Sequence, residues 1–197
     1  MKVLAYDYSC LMAEIPDDMA QEIIAIADSI PDEYIYEPDN EEKGRTKHCH
    51  ITVKFGIHTT NLADVERVVA GSPLLSATLG RITAFNNEDF VVLKVSVQSE
   101  DLTKLNGRIR QELECTDTFP DYKPHITVAY LKKDERNPYY YQEFCSNDFL
   151  GREIQIDRLT FSTPKGTKDR ILLGGEVGRI AREMRIAARV ARRAYAI

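Results

Sequence analysis

The chain has 197 residues, 43% of them hydrophobic and 29% charged, with no tryptophan and a formal net charge of −5. This is the composition of an ordinary globular protein with one well-buried domain or two small lobes, which excludes disordered, fibrous and many-domain classes. Residues 177–197 carry six Arg and one Glu, a net of +5, so the rest sums to about −10 and offers no global basic surface for long nucleic acid.

Taken in chain order, VLAYDYSCLMAEI mixes aromatic and β-branched residues and reads as a strand closed by Pro16. Asp17 and Asp18 then open DDMAQEIIAIADSI, where Ile23, Ile26, Ala27 and Ile30 recur at helical spacing and the acids stand at the favoured end. Residues 31–47 are acidic and rich in turn formers, and a loop of this length reads as a mobile lid. A strand follows from His48 to Gly56, and Asn61 caps a short helix through LADVERVVA. Residues 75–98 form a hairpin turning at NNED, and Ser99 caps a helix with Leu102, Leu105, Ile109 and Leu113 on one stripe. Lys123 to Leu131 is another strand; REIQIDRLTFSTP and DRILLGG make a second hairpin around Lys165 and Gly166. The closing segment VGRIAREMRIAARVARRAYAI reads as a basic amphipathic helix. The order mixes strands and helices without a regular βαβα run, which favours α+β over a doubly wound sheet.

No apolar run approaches the roughly 20 residues that cross a bilayer, and MKVLAYDYSC is too short and polar for a signal peptide. The expected setting is cytoplasmic, with no membrane partner. Cys10, Cys49, Cys115 and Cys145 form no CxxC pair, so they read as reduced, mostly buried thiols rather than a zinc ribbon.

The chemistry lies in a repeat. His-Ile-Thr-Val occurs at 50–53 and again at 125–128, using two of the four histidines. In a strand, alternate side chains share a face. His50 therefore stands with Thr52, and His125 with Thr127, while Ile51, Val53, Phe55, Ile126, Val128 and Tyr130 are expected to face a core. Two imidazoles titrating near neutrality and two hydroxyls around one cleft suit phosphodiester chemistry. One ring takes a proton from the attacking oxygen, the other gives one to the departing oxygen, and the threonines hold the non-bridging oxygens.

Two His-h-Thr-h motifs (h apolar) on separate strands make this chain similar to the 2H phosphoesterases, which include 2′-5′ RNA ligase-like proteins and cyclic phosphodiesterases. The resemblance covers about residues 1–175. It implies a bilobed fold of two pseudo-symmetric antiparallel sheets with helices outside and a central cleft, followed by a separate C-terminal helix over 176–197. It also implies a hydrolase acting on phosphodiester bonds without a cofactor, on small cyclic or 2′-5′/3′-5′-linked oligonucleotides or RNA ends. YKPHITVAY further resembles the second motif of phage anti-CBASS phosphodiesterases, which destroy cyclic oligonucleotide alarm signals. Processing of 2′,3′-cyclic phosphate RNA ends, 2′-5′ RNA ligation and non-catalytic nucleotide sequestration stay open as alternatives.

Around the four motif residues, Lys54 is expected to continue the His50–Thr52 face and Lys123 the His125–Thr127 face, either one meeting a substrate phosphate. Tyr8 and Tyr36 are candidates for stacking on a base. His48-x-His50 with His58 and His125 also has a metal-ligand spacing, but no carboxylate shares those strand faces and a metal would leave both threonines unexplained. The Arg-rich helix has a mostly alanine apolar side, which suits docking on its own domain or homo-oligomer assembly better than membrane insertion.

Overall fold

The computed structural model describes residues 7–38, 43–117 and 121–175. The expected C-terminal helix lies outside them. The elements are β1 (Ser9–Glu14), α1 (Asp17–Ser29), β2 (His50–Ile57), α2 (Leu62–Val69), β3 (Leu75–Asn86), β4 (Phe90–Gln98), α3 (Glu100–Glu112), β5 (His125–Lys132), β6 (Glu153–Ile156), β7 (Arg158–Ser162) and β8 (Lys168–Leu172).

The helices start where local chemistry supplies partners for their free N–H groups. Asn61 accepts from the Ala63 amide at the head of α2, and Ser99 accepts from the Leu102 amide at the head of α3. Each helix then buries one stripe: Met19, Ile23 and Ala27 on α1, Val65, Val68 and Val69 on α2, and Leu102, Leu105 and Ile109 on α3. These meet the apolar faces of the strands in one cluster that includes Leu11, Ile51, Val95, Ile126 and Phe161. No helix among the described residues is long and apolar enough to cross a membrane.

The α+β class stands, but the expected pair of sheets is a single eight-stranded one with the order β6-β3-β4-β5-β2-β1-β7-β8 and antiparallel pairing throughout. The two motif strands, β2 and β5, sit side by side at its middle and are joined by one residue pair, Ile51 with Ile126. The stretch read as one strand, REIQIDRLTFSTP, breaks at Asp157: β6 pairs with β3, while β7 pairs with β1 on the other half. In a flat sheet those two strands would lie six spacings apart, about 29 Å. Two Cα steps reach at most about 7 Å, so the sheet must curl until its two halves approach one another at Asp157.

Beyond the Ile51–Ile126 pair β2 and β5 diverge, and each finds another partner for its exposed backbone. Along β5, the Tyr36 and Thr46 amides donate to the Tyr130 and Val128 carbonyls, and the Tyr130 amide donates to Gly44, each at 2.9 Å. Along β2, the His58 amide donates to Glu114 at 3.0 Å and the Thr116 amide to Gly56 at 2.8 Å. This corrects the mobile-lid expectation for 31–47 over its described part. Both limbs of that segment are stitched to β5, and Arg45 ties it to α1 by donating to the Ala27 and Ile30 carbonyls and pairing with Asp32. An unpaired strand edge is costly to leave bare, and composition alone does not reveal that a polar loop will cover one.

Candidate active site

At the Ile51–Ile126 pair the strands run antiparallel, so His50 steps toward Thr127 and Thr52 toward His125, all four on the face opposite the isoleucines. Ile51, Val53, Ile126 and Val128 are fully buried, while the histidines and threonines are half-buried. The apolar half of each motif thus anchors the strand and the polar half lines a shared surface.

Both rings are held in the same way. His50 Nδ1 lies 3.1 Å from the His48 carbonyl, and His125 Nδ1 lies 2.9 Å from the Lys123 carbonyl. A carbonyl can only accept, so Nδ1 carries the hydrogen in each neutral ring and Nε2 is left with its lone pair. Burial lowers the pKa of both imidazoles, opposed in each by the carbonyl that receives Nδ1–H. Nearby positive charge lowers them further: Lys168, His125 and His48 act on His50, and Lys94 acts on His125.

Simple alternation fails just past each motif. Met12 stands opposite Thr52 but Leu11 opposite Lys54, leaving Val53 as an extra residue; Lys94 stands opposite Thr127 but Leu93 opposite Ala129, leaving Val128 extra. These are β-bulges at equivalent places in the two repeats, and each reverses the faces of the residues after it. Phe55 and Tyr130, expected in the core, are consequently half-buried, and Lys54 goes to the core side instead of the His50–Thr52 face. Lys54 is 6% exposed and ion-paired with Asp117, whose carboxyl it holds below the usual range. Lys54 is thus the buried end of an ion pair whose carboxylate is part-exposed and also held by Arg110. The bulge beside it is fixed by Asn106 Nδ2, donating to the Val53 carbonyl at 2.7 Å, and by the Tyr122 hydroxyl, donating to the Thr52 carbonyl at 3.0 Å.

Asp117→Ala would leave the Lys54 ammonium buried without its partner, whereas Lys54→Met leaves Asp117 part-exposed and still paired with Arg110. Asp117→Ala should therefore lower the melting temperature, whereas Lys54→Met should be near neutral for both stability and turnover. Thermal unfolding and activity measured side by side check this; a large loss of turnover with normal stability in Lys54→Met would return Lys54 to the site.

The Lys123 carbonyl holds His125, and the Lys123 charge lowers the pKa of Lys94, after burial, the larger cause. Tyr8 stacks on His58 at 5.0 Å and meets Phe55 edge-on at 6.3 Å. Tyr36 packs on Phe90 at 5.3 Å, Phe90 meets Tyr130 at 5.3 Å, and the Lys43 ammonium lies 4.3 Å from the Phe90 ring centre. The two tyrosines thus belong to aromatic groups at opposite ends of the motif strands. His58 bonds to Thr116 and stacks on Tyr8, apart from the two motif rings.

Several residues near the motifs were missed from sequence: Lys94 and Ser96 on β4, Lys168 on β8 and Phe85, whose ring meets His125 edge-on at 6.1 Å. The alternation of Lys94 and Ser96 with Val95 and Val97 marks a polar strand face, but only the register against β5 makes it the histidine face. Glu14 also stands opposite His50, yet its carboxylate is engaged by Arg158, Arg170 and the Thr160 hydroxyl. A groove of about 690 Å³ lies elsewhere, lined by Ser76, Gln98, Asp101 and Gln155 among others, and touches none of the motif residues.

Solved structures with the same fold include TT0787 of Thermus thermophilus, with 18% identity, a TM-score of 0.60, and 86% of this chain and 99% of that chain covered. Escherichia coli LigT complexed with 3′-AMP aligns at 15% identity and a TM-score of 0.53, covering 85% of this chain and 95% of its own. Kluyveromyces marxianus Usb1 aligns at 10% identity and a TM-score of 0.51, covering 87% and 100%. No curated protein matches the chain by sequence. The 2′-5′ RNA ligase superfamily model matches residues 36–167, a span that contains both HITV motifs and most of the curled sheet, and the chain belongs to that superfamily.

Proposed function

We propose that this protein is a phosphodiesterase that needs no metal and cleaves small cyclic or 2′-5′/3′-5′-linked oligonucleotides, with His50 and His125 as acid and base. The observation that carries the reading is the matched pair of neighbouring rings, each with Nδ1 tied to a backbone carbonyl, which leaves Nε2 of each neutral ring free to accept a proton. Recognition alone would require neither a fixed tautomer nor two groups that titrate near neutrality.

In hydrolysis, one neutral Nε2 takes a proton from water as its oxygen bonds to phosphorus. The other ring, as imidazolium, delivers its Nε2 proton to the oxygen whose bond to phosphorus breaks. Where a ribose hydroxyl attacks first, the two rings exchange roles for the hydrolytic step. Thr52 and Thr127 donate to the non-bridging oxygens, and Lys123, whose charge acts on Lys94 beside them, meets a substrate phosphate. Tyr8 and Tyr36, each in an aromatic group, extend stacking to the bases of the substrate. Degradation of cyclic oligonucleotide immune signals is the biological role this chemistry fits, and no dependence on long RNA follows from so acidic a body.

The test is incubation with cyclic di- and trinucleotides, 2′-5′ oligoadenylate and RNA ending in 2′,3′-cyclic phosphate, in excess EDTA, with products identified by mass. Cleavage of the small oligonucleotides is expected. Loss of turnover on chelation would overturn the metal-free mechanism, and intact ligand after long incubation would favour a sequestering protein. Preferential opening of terminal 2′,3′-cyclic phosphates would favour RNA-end processing.

Because both rings are pulled below the ordinary histidine value of about 6.5, the kcat/KM profile should be a bell with its optimum on the acid side of that value. A bound phosphate anion favours imidazolium, so the kcat profile should lie at higher pH than the kcat/KM profile. A flat profile between pH 5 and 8 would exclude the histidines as proton carriers.

A further inference from the structure

We propose that Lys94, Lys123, Ser96 and Thr83 form a subsite for a second phosphate, one nucleoside away from the phosphate that reacts at His50 and His125. This rests on the phosphodiesterase reading and narrows the substrate to nucleotides carrying phosphates on both sides of a nucleoside, as linear or cyclic oligonucleotides do. A mononucleoside 2′,3′-cyclic phosphate would leave the subsite empty.

The placement follows from register. Lys94 stands opposite Thr127, Ser96 opposite His125, and Thr83 opposite Lys94, so one row of polar side chains runs from β5 across β4 to β3. The Lys94 ammonium donates to Ser96 Oγ at 3.3 Å, and the Ser96 and Thr83 hydroxyls are bonded to one another at 3.2 Å. Lys123 adds a second ammonium from two residues before His125. The reacting phosphate lies between β2 and β5, and β4 is the next strand outward. The centre of the row is therefore about 5–7 Å from that phosphate, one to one and a half strand spacings and comparable to the step between successive phosphates.

The charge balance points the same way. Among the described residues neither Lys94 nor Lys123 is ion-paired with a carboxylate, although the body of the protein is acidic. By contrast, Glu14 on the other side of the site is engaged by two arginines. Burial and the charge of Lys123 both oppose the ammonium form of Lys94. Two cations without a carboxylate partner among the described residues thus stand beside two hydroxyls, and a tetrahedral oxyanion can accept from this group.

The experiment compares calorimetric binding of adenosine 3′,5′-bisphosphate and adenosine 3′-monophosphate, neither of which contains a phosphodiester to cleave. The wild-type protein should bind the bisphosphate about tenfold or more tightly, the scale of one charge-assisted phosphate contact. Lys94→Gln should lose most of that preference and Lys94→Arg should keep it, with melting temperatures checking that each is folded. Lys123→Gln, on a loop, should reduce the same preference and serves if Lys94→Gln does not fold. Equal wild-type affinities, absence of bisphosphate binding, or a preference untouched in both folded Gln variants would overturn the subsite. So would an equal loss for both ligands in Lys94→Gln, which would place that lysine on the reacting phosphate. A preference without any oligonucleotide turnover would overturn the phosphodiesterase reading alone; turnover without the preference would overturn the subsite alone.

Discussion

Alanine at either His50 or His125 is expected to lower kcat on the preferred oligonucleotide by about 10²- to 10⁴-fold, the usual contribution of one positioned acid or base. KM should change little, because the threonines and lysines that hold the phosphate are untouched. The double replacement should be scarcely worse than the weaker single one, since the two rings serve a single proton-transfer sequence and their losses do not add. Steady-state kinetics on the four proteins check this. Two independent, multiplying losses would mean that the rings act in separate steps, and normal turnover in either single variant would remove that histidine from the mechanism.

The largest expected effect on stability is at Gly56, near the end of β2. Its φ is +89°, and a Cβ added there would overlap the Thr116 carbonyl oxygen, a backbone atom that cannot rotate away. Gly56→Ala combines a strained φ with forced separation of β2 from residues 114–117. The two costs together amount to about 3 kcal/mol or more. For a chain of this size that corresponds to a fall in melting temperature of about 6–12 °C. Gly71 is the control: its φ is +71° but nothing lies within 4 Å of an added methyl group, so Gly71→Ala should show the φ cost alone. Similar melting temperatures for the two variants would mean that the edge beside Gly56 yields easily.

The sequence contained the motif chemistry and most element boundaries, because both are local. Alternation put His50 with Thr52 and His125 with Thr127, and helical periodicity with Asn61 and Ser99 caps located α2 and α3. It lacked whatever depends on a partner strand. The bulges at Val53 and Val128 exist only relative to β1 and β4, and their effect was to send Lys54 inward and bring Phe55 and Tyr130 out. Lys94 and Lys168 were invisible for a related reason: each sits on an ordinary alternating strand, and only register places it near a histidine. The break at Asp157 was hidden because REIQIDRLTF keeps a strand-like composition through the point where the chain changes halves.

The tether on each ring has a further meaning for how such a site can vary. In many histidine sites the orienting acceptor is a carboxylate side chain, so the identity of that second residue is constrained. Here the acceptor is main chain, supplied by whatever residue stands two places upstream: His48 in one copy and Lys123 in the other. Tautomer control is thereby separated from side-chain identity, and no substitution at 48 or 123 that preserves the backbone removes it. The two upstream side chains are left free to diverge toward the ligand while the proton-transfer geometry stays the same in both halves.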